Sequence, residues 1–254
     1  MILKEDADGV RVLRLAHPPS NVLTLGLLQT LRGEIEAAGA DGSVRCLMIA
    51  SSYPRYFSSG LDLEELMSLP KDRRSEPFVR LLETYRLLRE LPKPTLACIG
   101  GSAILGGWIL AMGCDMRFLS LSGKIALSEV RFGLSPTRIL VQRLLEISSS
   151  PSLAKEMALR GRTLRAEEAL AGGFVDRLVA DAEVYDESLR EARSLSRQAP
   201  AAYASVKRAL GHASMDEALW SESLAEFNEI FDSPEALEGV SALREKRRPR
   251  FEPA

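Results

Sequence analysis

Residues Gly100–Phe118 read GGSAILGGWILAMGCDMRF. Two glycine pairs bracket Ser-Ala-Ile-Leu, and the second opens a mostly apolar run ending in Cys-Asp-Met-Arg. Glycine gives up more backbone freedom on ordering than any other residue, so a pair at the entrance to an apolar helix needs a reason. The preceding Thr95–Gly100 has the length and composition of a buried strand, and the spacing that follows predicts a helix over Gly107–Cys114. Gly106 then falls in the first turn. There the backbone N–H groups have no intrahelical partner and the helix end carries partial positive charge. Bare backbone would let a ligand oxygen approach those N–H groups without any charged side chain. Turn formation and close helix packing would use the same glycines, and spacing alone leaves both readings open.

The pattern around this stretch is one of strands alternating with helices. Val10–Leu15 alternates apolar and polar residues as a strand does, and HPPSN turns the chain after it. Leu25–Ala37 carries apolar residues at helical spacing, and Arg45–Ala50 is a short buried-strand run. Ser51–Tyr56 reads as a polar loop, Leu61–Met67 as a helix start and Pro70–Glu76 as a charged break. Phe78–Leu91 is a helix, while Met116–Leu119 and Lys124–Leu127 are short extended pieces. Such alternation argues for an α/β domain with mainly parallel strands. After about Ser150 the character turns helical, over Ser152–Arg160, Arg165–Ala171, Val184–Gln198, Ala201–Ala213 and Met215–Phe231. The division expected is a core over residues 1–195 and a helical region over 196–254.

Composition narrows the class. The chain has 254 residues, 46% of them hydrophobic, enough for one substantial core. A net charge of -2 and an aromatic content of 6% offer no broad attraction to nucleic acid or anionic membrane and few stacking platforms for bases. No apolar run reaches the roughly 20 residues that span a bilayer, and the N-terminus has no secretory pattern. Cys46, Cys98 and Cys114 lie apart in apolar runs, as buried free thiols would. A cytoplasmic location, with no membrane or nucleic-acid partner, is the expectation. No spacing of His, Cys or carboxylates suggests a metal.

A second strand-to-helix junction, FSSGLD at Phe57–Asp62, offers small residues and the N–H of Ser59. Two N–H groups from separate junctions aimed at one point make an oxyanion hole, a pair in which each donor is worth roughly 10²–10³ in rate.

These motifs carry a resemblance. YFSSGLDLEEL and GGSAILGGWILAMGCDMRF resemble two segments of the enoyl-CoA hydratase/isomerase superfamily, the crotonases, and are separated as that family separates them. ALRGRTLRAEEALAGGFVDRLV and SPEALEGVSALREKRRPRF resemble its downstream segments, so the likeness runs nearly end to end. It implies a crotonase-like α/β fold, repeated ββα-type turns in two near-perpendicular sheets with a C-terminal helical subdomain that mediates oligomerisation. It also implies an acyl-CoA thioester substrate, no cofactor beyond the coenzyme A of that substrate, and a homotrimer or dimer of trimers. By the resemblance Ser59 and Gly106 donate to the thioester carbonyl. Gly60, Leu61, Asp62, Trp108, Ile109 and Arg55 would bind substrate, Arg55 near the CoA phosphates.

One acid of the family pattern is missing. Hydrating members pair two glutamates, and the resemblance puts the first where this chain has Ile109. The second matches Glu129, although Ser128 stands where the family has proline, and Leu105 replaces the first glycine of a triplet. One carboxylate beside an oxyanion hole suits an allylic double-bond shift from 3-enoyl-CoA to 2-enoyl-CoA, with Glu129 carrying the proton. An apolar lining from Trp108, Ile109, Val130 and Leu134 would raise its pKa toward the working pH. A hydratase, hydrolase or decarboxylase on another acyl-CoA is a second reading, and a non-catalytic acyl-CoA-binding or assembly subunit a third.

The remaining candidates are weaker. Glu64 and Glu65 read as solvated acids on the outer face of a helix, and Asp62 as its cap. His17 and His212 do not resemble a triad base. Lys246 and Arg247 are candidates for phosphate contacts.

Overall fold

A computed structural model of the chain describes residues 1–210, 216–231 and 233–251. The chain opens with a hairpin of β1 (Ile2–Ala7) and β2 (Val10–Leu15), closed by Asp8 and Gly9 at φ 53° and 80°. Positive φ at both central residues matches the twist of paired strands. After β3 (Val22–Leu23) comes α1 (Leu25–Ala40), whose N-cap Thr24 accepts from the Leu27 N–H. β4 (Cys46–Ser51), β5 (Tyr56–Ser58) and β6 (Gly60–Leu61) lead to α2 (Leu63–Ser68), and α3 (Glu76–Glu90) follows. β7 (Thr95–Ile99), β8 (Ser102–Ile104), α4 (Gly106–Met112), β9 (Met116–Ser120) and β10 (Lys124–Ala126) complete the run around the quoted stretch.

A short 3-10 turn over Glu129–Phe132 precedes α5 (Thr137–Ile147) and α6 (Pro151–Arg160). Then come β11 (Thr163–Arg165), α7 (Ala166–Ala171), β12 (Arg177–Val179) and α8 (Val184–Ser196). The chain ends in α9 (Pro200–Ala209), α10 (Glu217–Phe231) and α11 (Pro234–Arg244). The helices expected over Ala201–Ala213 and Met215–Phe231 are seen where described; their ends at 211–215, with His212, lie outside the described residues.

One sheet has six strands in the order β1-β2-β4-β7-β9-β12, parallel from β2 onward. A second has the order β11-β10-β8-β5, and β3 pairs with β6 alone. Alternation along β4 sends Leu47 and Ile49 into the main core and Cys46, Met48 and Ala50 to the opposite face. There α8 covers them through Val184 and Ala192. Burial on both faces explains why β4 and β7 read as continuous apolar runs. Cys46, Cys98 and Cys114 are buried free thiols. Among the described residues, no helix is long and apolar enough to cross a membrane.

The C-terminal helices share the core of the strands: Phe227, Phe231 and Val240 are buried in the same cluster as Leu81, Ile109 and Leu140. A polar latch holds α9. The buried Lys207 Nζ donates to Asp115 Oδ2 (2.9 Å) and to the carbonyls of Leu88 (3.1 Å) and Lys93 (3.2 Å).

Candidate active site

The segments singled out by sequence converge on a cavity of about 610 Å³, a size that suits a small-molecule ligand. Two strand-to-helix junctions, the 3-10 turn and the last two helices wall it.

Gly106 is the first residue of α4, so its N–H has no intrahelical carbonyl to meet, and it faces the cavity. Its neighbour serves packing instead: a Cβ on Gly107 would lie 2.3 Å from the Ser58 carbonyl oxygen. Both readings of the glycine pair therefore apply, one to each residue. Leu105 caps α4 at φ 51° and ψ -125°, a glycine-like conformation, and its residue lines the cavity.

The second junction corrects an expectation. The Ser59 N–H donates to the Ser20 carbonyl (3.1 Å) and is committed inside the fold. Along β6 the Asp62 N–H donates to the Leu23 carbonyl of β3 at 3.2 Å. Successive N–H groups of a strand point to opposite sides, so the Leu61 N–H points away from β3. Leu61 and Gly106 both line the cavity. The backbone between them is tight: a Cβ on Gly60, which sits at φ 98°, would be 3.1 Å from the Gly106 nitrogen. Gly60 thus brings the two junctions together rather than contacting the cavity. Leu61, whose N–H strand alternation turns away from β3, is a candidate donor to which the sequence reading gave no such role.

Glu129 is 6% exposed and lines the cavity. Its Oε2 is buried with no hydrogen-bond partner. Burial pushes the carboxyl up to about 8, because the charged form loses its water. The turn that carries it is held by the Leu134 N–H on the Glu129 carbonyl (3.1 Å) and by Gly133 in the left-handed region. α11 seats directly on this turn, since a Cβ on Gly239 would lie 1.8 Å from the Phe132 carbonyl oxygen.

Ile109 and Leu134 line the cavity as expected, and Ile109 is 1% exposed. Trp108 does not: it is fully buried in the core on the other side of α4. Consecutive helical residues point about 100° apart, so lining by Ile109 turns Trp108 inward. Val130 is 38% exposed and also absent from the wall. Arg55 lines a separate cleft with Tyr56, Ser102 and Lys124.

Asp62 caps α2, its Oδ1 accepting from the N–H groups of Glu64 (2.9 Å) and Glu65 (3.1 Å), and borders the cavity. Glu64 is exposed at the mouth, whereas Glu65 accepts from the Leu25 N–H at 2.7 Å and so ties α2 to α1. Arg244 and Lys246 are exposed at the mouth. Arg247 is instead paired with Glu238 (2.8 Å) and Glu245 (2.6 Å). His17 lies in the proline turn, its N–H on Asn21 Oδ1 at 2.8 Å. Phe78, Phe227, Phe231 and Val240 form walls that sequence reading did not assign. The i, i+4 pair Phe227 and Phe231 was the visible signal.

Comparison with known proteins agrees with this architecture. The chain is 31% identical over 98% of its length to methylglutaconyl-CoA hydratase, mitochondrial, of Mus musculus, covering 81% of that protein. A crystal structure of an enoyl-CoA hydratase/isomerase from Pseudoalteromonas atlantica T6c matches with TM-score 0.84 and 26% identity, over 99% of both chains. The fold also matches human mitochondrial delta3-delta2-enoyl-CoA isomerase, with TM-score 0.89 and 24% identity over 96% of this chain and 97% of that one. The family model described as enoyl-CoA hydratase/isomerase spans residues 5–254. With that match over nearly its whole length, the chain belongs to the enoyl-CoA hydratase/isomerase family and has the crotonase fold.

Proposed function

We propose that the protein isomerises 3-enoyl-CoA to 2-enoyl-CoA with Glu129 as the single proton carrier. The observation that carries this reading is that Glu129 is the one buried carboxylate among the described residues lining the cavity, with Ile109 where a second acid would stand. Ionised Glu129 takes a proton from C2 of the substrate, and the electron pair moves onto the thioester oxygen. The N–H groups of Leu61 and Gly106 receive that developing charge. The enolate then collapses: its C1–C2 electrons form the C2–C3 double bond, the C3–C4 pair takes a proton at C4, and Glu129 supplies it. No water enters the sequence. A carboxyl raised by burial suits both halves, since its affinity for the proton approaches that of the working solution.

Purified protein and a 3-enoyl-CoA should give the conjugated thioester, followed by its ultraviolet absorbance. Glu129→Gln should lower kcat by roughly 10²–10⁴. Parental rates in that variant would end the assignment.

A second reading, hydration or another enolate reaction, is favoured by the 31% identity to a protein named a hydratase. Faster turnover of a 2-enoyl-CoA with water, or of a different acyl-CoA, would replace the first reading with it. We also read the assembly as a homotrimer or dimer of trimers, for which light scattering should give three or six times the chain mass.

A further inference from the structure

We infer that the acyl group this cavity receives is an uncharged hydrocarbon chain, selected by a wall that α10 and α11 supply from the same subunit. The inference rests on the acyl-CoA reading of the site and adds to it the class of acyl group.

The distribution of charge around the cavity carries the argument. Its charged lining residues other than Glu129 are Asp62, Glu64, Arg244 and Lys246. Glu64, Arg244 and Lys246 are exposed, and Asp62 is half-buried with its carboxylate engaged in capping α2. All four mark the mouth. Of the two hydroxyl residues in the lining, Ser59 has its Oγ already paired with Ser20 Oγ at 2.8 Å, and the buried Ser128 adjoins Glu129. Away from Ser128 and Glu129 the interior wall is hydrocarbon. Phe78 of α3 stacks on Phe227 of α10 with ring centroids 3.7 Å apart and planes 11° from parallel, and Phe231 stacks on Phe227 at 5.1 Å. Leu81, Leu66 and Val240 fill in around them, each buried.

A second carboxylate on the acyl group would enter this interior with no buried cation among the described lining residues to meet it. A quaternary ammonium would find only Glu129, whose proton work it would block. Desolvating an unpaired charge costs far more than a hydrocarbon gains, so such acyl groups are rejected. Methylenes, by contrast, each gain about fourfold in affinity on leaving water for an apolar wall.

Calorimetric titration with saturated thioesters tests this apart from any chemistry, because they cannot isomerise. Acetyl-, butyryl-, hexanoyl- and octanoyl-CoA should bind progressively tighter, by roughly 15-fold per two methylenes, until the cavity is filled. Adipoyl-CoA, matched in length to hexanoyl-CoA but ending in a carboxylate, should bind at least about 10²-fold more weakly than hexanoyl-CoA. Phe227→Leu and Phe231→Leu should shrink the ratio of octanoyl to acetyl affinity. Leu243→Lys places a cation on the α11 wall and should strengthen adipoyl-CoA binding, a gain that misfolding cannot produce. Affinity independent of chain length, or adipoyl-CoA equal to hexanoyl-CoA, overturns the inference. Failure of the isomerase reading looks different: hydrocarbon selectivity stands while 3-enoyl-CoA is not converted. No binding of any thioester overturns both.

Discussion

At the scale of single residues, Glu129 sets the pH behaviour. Its carboxyl lies near 8 in the folded protein against an ordinary value of 4.5. Below about 4.5 both folded and unfolded forms hold the proton; between there and about 8 only the folded form does. The unfolded state therefore binds fewer protons across that window, and stability falls as pH rises through it, by up to about 1.4 kcal/mol per unit. Glu129→Gln should remove this slope, so chemical denaturation of the two proteins at pH 5 and pH 7.5 measures the difference. Turnover runs the other way. In the proposed reaction Glu129 must be ionised to act, so kcat/KM for a 3-enoyl-CoA should climb with pH to half its maximum near 8.

Ile109→Glu should add hydration products detectable by chromatography, while lowering Tm because a carboxyl replaces a buried methyl-bearing side chain. Glu129, Gly106, Leu61 and Ile109 were all legible as candidates in the sequence. The identity of the second N–H donor was not. Motif matching pointed to Ser59, two residues before Leu61; strict alternation would aim both amides the same way, but Gly60 between them at φ 98° breaks it and leaves the Ser59 N–H on the Ser20 carbonyl. Trp108 was misplaced for the related reason that helical phase, not adjacency to a glycine pair, decides which side chains meet a cavity.

Among the elements, the decisive contact is α11 on the turn that carries Glu129. Gly239 meets the Phe132 carbonyl so closely that a methyl group has no room. Gly239→Ala should cost stability toward the upper end of about 1–3 kcal/mol. It should also lower kcat by displacing the turn, with urea titration and steady-state kinetics as the two readouts.

Long, strongly patterned elements were readable: β2 and α1 fall within a few residues of their expected spans. The pieces that escaped are short or made by pairing. β3 and β6 have two residues each, and β5, β8 and β11 three, too few for any periodicity to show. β1 did carry a signal, Asp8-Gly9, but its exposed, charged LKED sequence hid the alternation. α5 was hidden by the proline that opens it; TRILVQRLLEI has a clear apolar stripe once Pro136 is read as a cap.

For the whole molecule, the latch at Lys207 governs how α9 is attached, while α10 and α11 are held through the apolar core. Burial lowers the affinity of this lysine for its proton, and the adjacent Asp115 opposes that. Lys207→Ala removes the cation from beside a buried carboxylate and should destabilise the fold by about 3–5 kcal/mol, visible as a lower Tm. The sequence marked residues 196–254 as helical and assigned them to oligomerisation. Their contribution to the cavity escaped because it depends on a tertiary return: Phe227 reaches Phe78, far back in the chain.

That return has a consequence for biosynthesis. A ribosome that has delivered the chain as far as Leu210 has made Glu129, Leu61 and Gly106, but not Phe227, Phe231 or Val240. Until α10 and α11 emerge and dock, the cavity beside Glu129 lacks the wall they supply. The proposed chemistry is therefore expected only once α10 and α11 close the cavity around Glu129.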